Sequence, residues 1–126
     1  MGAAAATVTW KVMITMKTET EDLESGQSHG FFGDDLVVGI ADHDWPNHAI
    51  DIIVGSPGSA DRSEKLKVGQ MTRYARADNS ALYEIRLRSV DGFGTGRLSC
   101  SFQVIQFDDP ALIATIRART GWEVGQ

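Results

Sequence analysis

At 126 residues and a formal net charge of −5, the chain has the length of one domain and the wrong charge for a protein whose main partner is a nucleic-acid backbone. Leu, Ile, Val and Phe make up about a quarter of the residues, above the share at which chains stay disordered. A single cysteine excludes an internal disulfide, and with it the small stapled scaffolds of secreted proteins.

Residues 1–6 are mostly alanine and carry neither the basic nor the long apolar region of a secretory signal, so they read as a flexible arm. No apolar run approaches the ~18 residues of a membrane helix. The expectation is a cytoplasmic protein with no membrane contact, built as a single β-domain over residues 7–126.

Residues 7–17 alternate Val8, Trp10, Val12, Ile14 and Met16 with Thr and Lys, the period of a half-buried strand. The polar stretch 18–30 that follows reads as an exposed connection without a strand. Leu36, Val37, Val38 and Ile40 form the next strand, which Pro46 and Asn47 bring to a turn. In the strand over 48–54, Ile50, Ile52 and Val54 share one face. After a Gly-Ser-Pro-Gly-Ser loop comes a strand at Leu66 and Val68, with Gly69 as a bulge before residues 71–75.

Residues 82–90 set Tyr83, Ile85 and Leu87 against Glu84, Arg86 and Arg88. A glycine-rich turn at 91–96 leads into 97–107, where Leu98, Cys100, Phe102 and Val104 align, so the two runs form a hairpin. Only the tail has helical signals. Asp109 caps, Pro110 opens the first turn, Leu112, Ile113 and Ile116 make an apolar stripe with Trp122 beyond it, and Arg117 and Arg119 suit the C-terminal end. The resulting fold class is all-β: an antiparallel sandwich or small barrel of six to eight strands with one short C-terminal helix over about 110–119.

The densest polar cluster is Asp42-His43-Asp44-Trp45-Pro46-Asn47-His48. Paired carboxylates suit a hard cation, but the calcium-loop pattern fails, because Pro46, Asn47 and Ile53 stand where it needs a ligand, a glycine and a glutamate. His43 and His48 have neither helical nor strand ligand spacing for zinc. Cys100 lies on the presumed core face and so behaves as a small hydrophobe. Ser56 lacks the context of a nucleophile elbow, and the glycines at 92–96 precede a strand rather than a phosphate-binding helix.

The first 61 residues carry ten of the 17 acidic groups but two of the 12 Lys and Arg. Cross-strand pairing accounts for this asymmetry within one fold, the alternative being a polar molecule that meets a charged partner or pairs head to tail. The functional expectation is a non-catalytic binding or assembly module acting through loops and a strand face. Its binding residues are expected to be Asp42, His43, Asp44, Trp45, His48, Arg86 and Arg88. The partner is a protein, a second copy of the chain included, and no cofactor is expected. The alternative is a small metal-dependent enzyme, with calcium or zinc on the 42–48 loop, or a ligand-binding β-barrel using the same loop.

Overall fold

Alternating apolar and polar residues become eight antiparallel strands, seen in a computed structural model that describes residues 16–44, 46–92 and 97–120. The strands are β1 (Met16–Glu24), β2 (Ser28–Phe31), β3 (Leu36–Asp44), β4 (Ala49–Gly55), β5 (Arg62–Lys67), β6 (Met71–Ala75), β7 (Leu82–Asp91) and β8 (Ser99–Phe107). Helix α1 (Pro110–Thr120) follows. Sheet A has the order β1-β8-β7-β6 and sheet B the order β2-β3-β4-β5.

The two sheets face each other as a sandwich. From sheet A the interior receives Leu23, Tyr74, Tyr83, Ile85, Leu87, Cys100, Phe102 and Val104, and from sheet B Phe31, Leu36, Val38, Ile40, Ile50, Ile52, Val54 and Leu66. Each set follows the period of two that puts alternate side chains on one face. These side chains fill the space between the sheets, so the ligand-holding barrel is corrected to a packed sandwich.

The two seams explain why the sheets do not close. At the β5–β6 seam, inward-facing positions carry Arg62, Glu64 and Thr72. The Arg62 Nη2 donates to Thr72 Oγ1 at 3.1 Å and to the Arg73 carbonyl, and Thr72 Oγ1 donates to Glu64 at 3.1 Å. At the β1–β2 seam stand Glu19 and Glu21, the latter 3.8 Å from His29. Side chains of this kind demand hydrogen bonds of their own and hold edge strands apart.

Two expectations need correction. The stretch 18–30 is not a bare connection: β1 runs through Glu24 and pairs with β8 from Met16–Phe107 to Glu24–Ser99, and β2 begins at Ser28. The polar residues there reflect an edge strand whose outer side faces solvent, which periodicity of apolar residues cannot detect. Gly69 is a turn residue with φ +88° rather than a bulge, and the chain crosses there from sheet B to sheet A. The arm over 1–6, the 7–15 part of the first expected strand, Trp45, residues 93–96 of the glycine turn and Trp122 lie outside the described residues.

Helix α1 covers the outer face of sheet A at one end. Asp109 Oδ1 accepts from the Ala111 and Leu112 amides at 3.0 and 3.4 Å, an N-cap that satisfies donors with no partner within the helix. Ile113 is fully buried against Ala75 and Leu82, with Phe107 and Ile116 packed beside them. No helix among the described residues is long and apolar enough to cross a membrane.

Candidate functional site

The outer face of sheet B carries a cleft of about 400 Å³ whose floor is made by the central strands β3 and β4. In register, Val37 faces Gly55 and Gly39 faces Ile53, so each exposed apolar side chain has a glycine opposite it. Val37 is 39 % and Ile53 43 % exposed, which makes them two of the few large apolar residues left to solvent.

Two carboxylates border this floor, and glycines decide where they lie. Gly30, in register with Val37 on its other side, is covered by the Asp34 carboxylate; Gly55 is covered by that of Asp61. A Cβ at either glycine would overlap the carboxylate oxygen. The row across the sheet therefore reads Asp34 over Gly30, then Val37, then Asp61 over Gly55. Interstrand spacing puts the two acids on the order of 10 Å apart. Among the described residues, neither carboxylate has a salt bridge or a side-chain hydrogen bond.

The supports of both acids are built into the fold. Phe32, Gly33 and Asp34 are consecutive residues with φ of 55°, 66° and 71°, a conformation that disfavours ordinary side chains by roughly 1–2 kcal/mol each. Glu19 of β1 holds this turn by accepting from the Phe32 amide at 3.0 Å, and Phe32 stacks on Tyr83 with ring centroids 5.9 Å apart. Buried Ser56 donates its hydroxyl to the Asp35 carbonyl at 2.7 Å, so it is a strut for the cleft rather than a nucleophile. Asp61 lies between two anchored neighbours. Tyr74 donates its hydroxyl to the Ala60 carbonyl at 2.5 Å, and Arg62 reaches across the seam to β6, its guanidinium 5.7 Å from the Tyr74 ring. Burial first, and the nearby Asp61 charge second, push the Tyr74 hydroxyl above its ordinary pKa, keeping it a neutral donor.

The expected binding residues are divided between the two sheets. Asp42, His43, Asp44 and His48 lie at the β3–β4 hairpin, at the far end of sheet B from Asp34 and Asp61. Lys65 stands among the acids there, 3.0 Å from Asp51 and 3.3 Å from Asp44. Asp44 also accepts from the Asn47 side chain at 2.8 Å, and that bond chiefly holds its carboxyl below the usual range. The Asp51 hydrogen bond, with Asp44 adding to it, raises Lys65 above its ordinary value. These carboxylates are answered by an ammonium group. No group of three or more His, Cys, Asp or Glu side chains among the described residues is arranged to hold a metal ion. Cys100 is buried in the core, where desolvation pushes its thiol up to about 11.

Arg86 and Arg88 lie on β7 of sheet A. Arg86 is in register with Met71 and Gln103, and Arg88 is the extra residue of a bulge between Leu87 and Ser89. Arg73 on the same face is 2.9 Å from Glu84, whereas Arg86 and Arg88 are exposed and have no ion-pair partner among the described residues.

The binding residues expected from the sequence do not include Asp34, Asp61, Val37 or Ile53. The available signal was glycine inside strands, at 39 and 55, which marks close approach to the backbone. Compared with known proteins, the chain matches no family model, and no curated protein or solved structure shows a similarity to it.

Proposed function

We propose that this protein is a non-catalytic binding or assembly module whose working surface is the outer face of sheet B. The observation that carries the reading is the pair of unanswered carboxylates, Asp34 and Asp61, seated over glycines on either side of exposed Val37. Two exposed carboxylates flanking apolar surface are the complement of a ligand that bears cationic groups on an apolar body. Guanidinium is the best match, since its planar donors meet a carboxylate in two parallel bonds. The ligand then sits on the strand face of sheet B and on loop acids outside the 42–48 segment.

A backbone-amide NMR titration with the blocked tripeptide acetyl-Arg-Val-Arg-amide tests this. Resonances of Val37, Gly39, Ile53 and Gly55 are expected to move together, and Asp61→Asn is expected to weaken binding by about tenfold or more, the worth of one hydrogen bond to a charged group. Shifts confined to the 42–48 hairpin, or an unchanged affinity in Asp61→Asn, would overturn it.

A further inference from the structure

The cleft on sheet B and the arginines on sheet A lie on opposite outer faces of one molecule, and each has the charge that the other lacks. We propose that the occupant of the cleft is a second copy of this chain, docked head to tail, with Arg86 and Arg88 of one copy entering the cleft of the next and meeting its Asp34 and Asp61. This rests on the reading of the cleft as a binding surface and names its partner.

Three observations support the match. The first is charge: Arg86 and Arg88 are exposed with no ion-pair partner among the described residues, and so are Asp34 and Asp61, while Arg73 is answered by Glu84 and Lys65 by Asp51. The second is spacing. The arginines are two residues apart on β7, the second in its bulge, and their long stems can spread to the roughly 10 Å between the acids. The third is apolar surface. Half-buried Met71 is the cross-strand neighbour of Arg86, and it supplies a counterpart to exposed Val37 and Ile53.

The contact joins two different patches, so a pair of copies keeps one free face of each kind. Such a heterologous contact propagates into an open chain unless its rotation closes a ring. It also depends on exposed charge, so salt opposes it.

Sedimentation velocity on the full chain, over a concentration series, tests the proposal at ionic strengths well below and well above the ~0.1 M at which the screening length is about 10 Å. Wild type is expected to grow with concentration at low salt and to sediment as a monomer at high salt. Asp34→Asn/Asp61→Asn and Arg86→Glu/Arg88→Glu are each expected to remain monomeric. Mixed in equal amounts they should form a one-to-one pair and nothing larger, because each retains the face that the other has lost. Circular dichroism melts check that the variants fold, and Arg88→Gln, in the exposed bulge, serves as the milder replacement. A monomeric wild type at low salt, a variant that assembles as wild type does, or a mixture that stays monomeric overturns the proposal. If the tripeptide still binds the cleft in that case, the cleft reading stands and only the identity of its occupant falls; if it does not bind, both fall.

Discussion

Gly55 shows how one absent methyl group sets the geometry of a charge. The space its Cβ would take is filled by the Asp61 carboxylate, the free end of a side chain on an exposed loop. Gly55→Ala would turn that carboxylate away from the sheet. The backbone has no need of glycine here, and alanine is favoured over glycine within a strand by about 0.5–1 kcal/mol. The variant is therefore expected to melt at or slightly above the wild-type temperature while losing affinity for acetyl-Arg-Val-Arg-amide by about tenfold, the scale of one charged hydrogen bond. A melting point several degrees lower would show that glycine serves the fold rather than the cleft. At this scale the sequence was least legible. Asp61 sits six residues from Gly55 across a loop, and only the loop's path over the strand end joins them. Core positions were easier. Cys100, Phe102 and Val104 alternate in the chain as they do in the sandwich, because burial on one sheet face enforces the period directly.

Among the elements, the helix offers the clearest division of labour. The cap at Asp109 acts on the helix alone, whereas Ile113 joins the helix to sheet A through Ala75 and Leu82. Asp109→Ala is expected to lower stability by about 1 kcal/mol. Ile113→Ala should cost about 2–5 kcal/mol, because it opens a cavity in a fully buried contact. Equilibrium urea unfolding measures both, and equal losses would mean that the helix contributes no packing. Asp109, Pro110 and the Leu112, Ile113, Ile116 stripe made this element legible, since capping chemistry is local. The edge strand β1 was not legible past Lys17. Its inward positions carry Glu19 and Glu21, seam residues whose partners come from β2 and its turn, and polar side chains at inward positions leave no apolar period to read.

For the whole molecule, the sandwich follows from many short alternating runs, while the absence of closure into a barrel follows from a few polar side chains at two seams. Composition and periodicity report the first and are blind to the second. The charge asymmetry of the two halves of the sequence is partly cancelled in the fold, as with Asp51 and Lys65 or Glu24 and Arg97. What is left over is distributed onto opposite faces, which linear charge counts cannot reveal.

The strand order has a further consequence, for the path by which the chain folds. Among the described residues, every strand pairs with a neighbour in sequence except β1, which forms its ladder with β8, Glu24 opposite Ser99. Closing so long a loop has an entropic cost on the order of 4 kcal/mol, whereas sheet B is assembled from short hairpins alone. Sheet B and the β6–β8 part of sheet A should thus form first, with β1 docking last along β8. Pulsed hydrogen exchange during refolding is expected to protect Val38, Ile52 and Val54 before Thr20 and Asp22, and the reverse order would refute this path. Until β1 docks, one side of the β8 ladder stands open, so the interval before docking is when the chain is most exposed to strand exchange with another copy.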